Sequence, residues 1–221
     1  MKKLYYREQA LEGIARKVLT SHNSLLYYGP PAAIPIEDII EAHGLILEFQ
    51  CLRKNGRILG KTIFDDGWEA VYDLDNQEYT LFPVKAGTIL IDASLCCEDG
   101  SAGRLRFTCA HELAHWILHK KLYTGSGESA ALAAAVKEDD MEIQANLLGS
   151  ALLMPLPQVK RSFYRLRAGR GTQTLVAEMA ELCRRCGLQK PVRVVVGGET
   201  RTHSVLAAAL EANEKARLIA V

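Results

Sequence analysis

The chain has 221 residues, 48% apolar and 24% charged, with a formal net charge of +1. This is the profile of a soluble globular protein with one sizeable core, or one core plus an appendage. The longest apolar runs fall far short of the roughly 18–20 residues a membrane span needs, which excludes a spanning helix. The opening MKKLYYREQALEG has two lysines but no apolar stretch behind them, so no signal peptide is expected. Six scattered cysteines, at 51, 96, 97, 109, 183 and 186, suggest no disulfide framework and fit reduced thiols in a cytoplasm.

Charge is unevenly spread. Residues 1–150 hold 15 Lys/Arg against 21 Asp/Glu, whereas residues 151–221 hold 12 against 5. A basic tail on an acidic body can bind an anionic partner or dock on the body itself, and charge alone does not choose.

In chain order, Ala10–Leu19 has helical apolar spacing. YYGPPAAIP reads as a Pro/Gly loop. Ile36–Ala42 follows as a short helix, with Pro35 before it, acids in its first turn and Gly44 ending it. Leu45–Phe49 reads as a strand. Between Gly56 and Ile91 the spacing predicts a small, mostly antiparallel sheet, with EAVYDL and GTILIDA as its best strands. After a Gly-containing loop comes a helix carrying FTCAHELAHWILH. A Gly/Ser loop at Gly125–Gly127 leads to a second helical region running to Met154, where Pro155 and Pro157 interrupt it. Beyond lie an expected helix at Thr174–Cys186, a strand at Val192–Val196, a Gly197–Gly198 turn and a last helix. Elements of both kinds, largely segregated, make this an α+β chain.

His111-Glu112-Leu113-Ala114-His115 fits H-E-x-x-H. Residues four apart share one helix face, about 6 Å apart along the axis, so two imidazoles so placed can converge on one zinc ion. Glu112 is turned away from the ligands and suits a general base. The pattern recurs by chance, so its surroundings decide. Leu113, Ala114, Trp116, Ile117 and Leu118 make the helix apolar nearly all round, hence buried. Unpartnered polar groups there would be costly, and a metal accounts for all three motif residues at once. His119 lies about 12 Å from His111 along the axis, too far to share the ion, and is expected to pack or hydrogen-bond. The extended motif with a third histidine also fails, because Leu118 and Lys121 occupy its glycine and histidine positions.

The third ligand is expected from KEDDMEIQANLLGSALLMP. Glu142 shares a helical stripe with Ala145, Asn146 and Gly149, small enough to let the two helices approach closely. Asp139 and Asp140 lack that setting. Glu142 completes a His₂Glu set that leaves a fourth position open. Asn146, one turn on, is placed to hold a ligand histidine by its second ring nitrogen. Tyr123 is a candidate to polarise a substrate carbonyl. Cys183-x-x-Cys186 lacks the second pair a structural zinc would want. KRSFYRLRAGR has a composition suited to phosphate contacts, but reads first as a solvated helix face, and no nucleic-acid partner is expected.

RFTCAHELAHWILH followed by EIQANLLGSALLMP resembles the ImmA/IrrE family of metallopeptidases. Arg106, Phe107 and Thr108 match the entry to the first motif, His119 its further histidine, Glu142 to Asn146 the second motif, and Leu152 to Pro155 its end. Ala114 stands where glycine is common. The resemblance covers roughly residues 30–157. It implies a zincin-like, minimal gluzincin fold: a small, mostly antiparallel sheet packed on helices that include the H-E-x-x-H helix. It gives a metallopeptidase domain at 1–157 and a basic, mainly helical extension at 158–221, either separate or packed on the first as one unit. It implies a Zn²⁺-dependent cytoplasmic endopeptidase in which Glu112 moves the water's proton. Its substrate would be a helix-turn-helix repressor encoded nearby, and cutting it would release stress or mobile-element genes. The substrate is expected to lie extended beside Ile89–Asp92. The alternative is a non-catalytic, zinc-containing module that binds a repressor or toxin partner.

Overall fold

The computed structural model describes residues 6–97, 102–123, 138–167, 192–196 and 199–203. Helix α1 (Glu8–His22) buries Leu11, Ala15, Val18 and Leu19 on one face, with Glu8 in its first turn and His22 in its last complementing the helix dipole. Tyr27 and Tyr28 were expected in a loop and instead end a one-turn helix, α2 (Leu25–Tyr28). Helix α3 (Ile36–Ala42) has the expected bounds, and Gly44, at φ +71°, closes it in the left-handed region where glycine is favoured.

Strands β1 (Ile46–Gln50), β2 (Gly60–Thr62) and β5 (Thr88–Asp92) form one sheet, in the order β1-β5-β2. β1 runs parallel to β5, pairing Ile46 with Thr88 through Gln50 with Asp92, and β2 runs antiparallel to it, pairing Gly60 with Ile91 and Thr62 with Ile89. Strands β3 (Gly67–Asp73) and β4 (Glu78–Val84) make a separate antiparallel hairpin. The span from Gly56 to Ile91 thus pairs antiparallel, as expected, and β1, which precedes it, adds one parallel pair. All five residues of β5 are buried and both its edges are paired. A substrate strand thus has no edge beside Ile89–Asp92, contrary to expectation; β2 stands at the end of the sheet instead.

Helix α4 (Ser94–Cys97) precedes α5 (Ala102–Tyr123), which carries the H-E-x-x-H motif; α6 (Glu138–Leu153) carries the second motif and ends before Pro155 as expected. Alternate faces of β5 serve two cores. Ile89 and Ile91 join a large cluster with side chains of α1, α3, α5 and α6, among them Leu11, Ile39, Leu113 and Leu148. Leu90 joins a small one with Leu52, Ile63, Val71 and Val84. The hairpin's outer face leaves Trp68, Tyr79 and Leu81 exposed.

Helix α7 (Leu156–Arg167) docks on α2: the Gln158 amide donates to the Leu26 carbonyl at 2.6 Å, and the Arg161 guanidinium to those of Tyr28 and Gly29, each at 2.7 Å. These anchors are backbone carbonyls, and the Leu156 N–H adds an acidic acceptor, Glu12 Oε1, at 3.2 Å. Strand β6 (Val192–Val196) lies where the sequence placed it and pairs antiparallel with an unforeseen β7 (Glu199–His203). The expected loop at 125–127, the Thr174–Cys186 helix with Cys183 and Cys186, the Gly197–Gly198 turn and the last helix lie outside the described residues. Among the described residues, no helix is long and apolar enough to cross a membrane.

Candidate metal centre

Helix α5 is buried nearly all round, with Phe107, Cys109, Ala110, Leu113, Ala114 and Leu118 packed into the large core. Its polar residues therefore cannot simply turn to water. Helix α6 crosses it closely. A Cβ on Gly149 would sit 3.2 Å from the His111 backbone nitrogen and 3.3 Å from the Ala110 carbonyl carbon, so that position has room for little beyond hydrogen. Ala145, on the same stripe, is fully buried. This close crossing brings Glu142 over the two motif histidines.

His111 Nε2 and His115 Nε2 lie 2.9 Å apart. Glu142 Oε2 is 3.2 Å from the first and Oε1 is 3.1 Å from the second. Among the described residues these three form a group that could hold a metal ion, with candidate ligand atoms all within 4.8 Å of one another. Asp139 and Asp140 are not part of it. Hydrogen bonds from His111 and His115 hold the Glu142 carboxyl well below the usual carboxylate range. Tetrahedral coordination at about 2.0–2.1 Å sets ligand atoms about 3.3 Å apart. The donors present, two imidazole nitrogens and a carboxylate at 2.9–3.2 Å, fit a small dication with slight outward relaxation.

Glu112 lines the same cleft but is not one of this trio. It is 7% exposed, and Thr62 Oγ1 lies 2.8 Å both from its Oε2 and from its backbone carbonyl oxygen, so the hydroxyl proton is shared between them. Burial raises its pKa; the fields of His111 and His115 and the Thr62 hydrogen bond oppose that rise. Room for the carboxylate comes from β2. A Cβ on Gly60 would fall 2.7 Å from Glu112 Oε1 and 2.7 Å from Thr108 Cγ2, so any side chain there would displace one of them. Sequence reasoning missed Gly60 and Thr62. A glycine two residues before a threonine was the only local signal, and the pairing that brings β2 to α5 is long-range.

His119 is 1% exposed, and its Nδ1 lies 3.1 Å from His115 Nδ1. Burial, reinforced by His115, pushes its pKa down to about 4. Asn146 does not take the place expected for it. Its amide donates to the Glu142 backbone carbonyl at 2.8 Å, one turn back along α6, and it is His119 that meets His115. The side chain of an exposed helical residue finds the carbonyl four residues back more readily than a ring on another helix. His111 Nδ1 is buried with no partner among the described residues.

Tyr123, the last residue of α5, lies on the cleft wall, where its ring stacks on Phe64 at 4.2 Å and 8°; Phe64 in turn faces Trp116 at 5.9 Å. The cleft encloses about 500 Å³ and exposes His111, His115 and Glu142 along with Thr62 and Phe107. A polar centre with one buried carboxylate beside it, at the foot of an open cleft walled by aromatic rings, can position a polar scissile group and move a proton to or from it.

No curated protein matches the chain. The family model of peptidase M78, described as an IrrE N-terminal-like domain, matches residues 74–181, a span that contains both α5 and α6. Both motif helices lie inside that match, which spans just under half of the chain, so residues 74–181 are similar to the ImmA/IrrE peptidases, M78.

Proposed function

We propose that the protein is a zinc-dependent endopeptidase with a zincin-like, gluzincin-type site, held by His111, His115 and Glu142. One observation carries the reading: three ligand atoms converge while a second carboxylate, Glu112, is buried beside them and lines the same cleft without joining the group. A purely structural metal has no need of Glu112. Three protein ligands, with a cleft above them, also match catalytic sites better than closed structural ones.

When bound, zinc supplies a Lewis acid that polarises the scissile carbonyl and makes water a stronger acid. The rest falls to the chain's own residues. Thr62 donates to Glu112 Oε2 and orients the carboxylate, leaving Oε1 to accept the water's proton and later deliver it to the leaving amine. Gly60 keeps that oxygen uncrowded. An extended substrate would pair with the outer edge of β2, at Gly60–Thr62, and run past the Phe64–Tyr123 wall. Tyr123, half-exposed at that wall, is the candidate to donate a hydrogen bond to the substrate carbonyl.

The proposed substrate is a helix-turn-helix repressor encoded nearby, cut in the cytoplasm to release stress or mobile-element genes. The family supports a peptidase; the repressor rests on resemblance. The test compares wild type with Glu112→Gln, co-expressed with a candidate repressor, at matched zinc loading and with intact-mass readout. Glutamine keeps the shape but cannot take the proton, so cleavage should fall by about 10²–10⁴ with zinc retained. Equal cleavage by both proteins would remove Glu112 as the base. Tight binding by both without cleavage would favour the non-catalytic module.

A further inference from the structure

We propose that His119 is a positioning residue that fixes His115 as an Nε2 ligand; this rests on the metal-centre reading above. A neutral imidazole carries one proton on one of its two nitrogens. For His115 to present an Nε2 lone pair to a metal, its proton must sit on Nδ1 and needs an acceptor. Among the described residues the group that meets this Nδ1 is His119 Nδ1, at 3.1 Å, one helical turn further along α5. The two ring centroids are 5.2 Å apart and the rings are inclined at 54°. His119 must then carry its own proton on Nε2, and both rings stay neutral.

A second observation separates this role from ordinary packing. His119 is 1% exposed, and its Nε2 is buried with no partner among the described residues. It stands beside Leu118 and one turn before Tyr123, with Leu118 and Leu122 both buried. A leucine there would fill the space without leaving an orphaned polar atom, and a buried, unmatched N–H opposes folding. Among the described residues the histidine therefore leaves one nitrogen unmatched while its other nitrogen meets a ligand ring. His111 has no such support, since its Nδ1 is unpartnered among the described residues. Among the described residues the two histidine ligands are thus unequal: a ring nitrogen meets His115 Nδ1, and nothing meets His111 Nδ1.

The two roles predict opposite signs. Zinc affinity of the full chain is measured by competition with a chromophoric chelator, and metal-free stability by thermal melting, for wild type, His119→Leu and His119→Asn. His119→Leu should melt at or above the wild-type temperature without metal, yet bind zinc about 10–100-fold more weakly, the range for loss of a partner that orients a ligand. His119→Asn, whose amide oxygen can accept from His115 Nδ1, should recover most of that loss. A folded His119→Leu with wild-type zinc affinity would overturn the proposal. So would a loss of metal-free stability with unchanged affinity, which a packing role expects. If His119→Leu fails to fold, ¹⁵N spectra of the zinc-loaded wild type still decide: His115 protonated on Nδ1 and His119 on Nε2 supports the assignment, and the reverse pattern sinks it. A wild-type protein that binds no zinc removes the metal reading itself, and this inference falls with it.

Discussion

The two cores on either side of β5 do different work. The large one beds α5 and α6 against α1 and α3, and every metal-ligand candidate stands on those two helices. The small one lies under the β3–β4 hairpin, and the wall facing the ligands, Gly60 to Phe64, runs beside it through Ile63. Ligand geometry is therefore a property of helix-on-helix packing, while cleft shape is a property of a thin sheet layer. Damage to the first should reach the metal; damage to the second should reach the substrate.

The sharpest way to break that contrast is Leu148→Ala. Leu148 is fully buried on α6, one residue before the Gly149 crossing. Its truncation should destabilise by about 2–5 kcal/mol, lower the melting temperature and weaken zinc binding together. Ile63→Val, in the small core, should cost about 0.5–1.5 kcal/mol. It should leave zinc affinity unchanged while shifting KM for a peptide substrate. Equal effects of the two variants on chelator competition would show that the cores are not separate in function.

Thr62→Val sharpens the comparison from the sheet side. The Thr62 hydrogen bond favours the ionised form of Glu112, so it lowers that group's pKa against the rise caused by burial. Without it the pKa rises. The base works as a carboxylate, so the acidic limb of the kcat/KM profile should move to higher pH, with zinc affinity little changed. A limb that stays put would deny Thr62 its role. The same shift has a stability consequence. A carboxyl whose folded pKa lies above the ordinary 4.5 holds a proton that the unfolded chain has lost, so stability falls as pH rises through that window. At neutral pH, metal-free Glu112→Gln should therefore melt no lower than wild type. Leu81→Ser, on the exposed outer face of the hairpin, should stay within about 0.5 kcal/mol and change neither readout.

Much of the helical half was legible because its signals are local. Pro35, Glu37, Asp38 and Gly44 fixed α3 to the residue, and the Ala145–Gly149 stripe marked the face of α6 that approaches α5. Glu142 stood out from Asp139 and Asp140 by helical phase alone. The sheet half was less legible. β2 has three residues, too few for any period, and β4 carries Pro83, which weakens a strand reading. That β1 runs parallel to β5, closing the edge where a substrate was expected, depends on a pairing between distant segments that no local pattern encodes. Asn146 and His119 were told apart only by side-chain geometry: both lie one turn from a ligand residue, and only one of them meets a ligand ring.

The central place of β5 also bears on the order in which the molecule assembles. Ile46 pairs with Thr88, 42 positions later, whereas the β3–β4 hairpin between them closes on a short turn. Loop-closure entropy favours the local hairpin first and the long-range parallel pair afterwards. Thr62 reaches Glu112 only once β2 has joined β5, so the proton-transfer pair should be among the last contacts to form. Amide exchange should find β5, hydrogen-bonded on both sides and wholly buried, opening near the global unfolding limit, with the hairpin opening well before it. A partly folded chain would then hold its histidines on a helix and still lack an oriented base, which would keep a peptidase inert until its fold is complete.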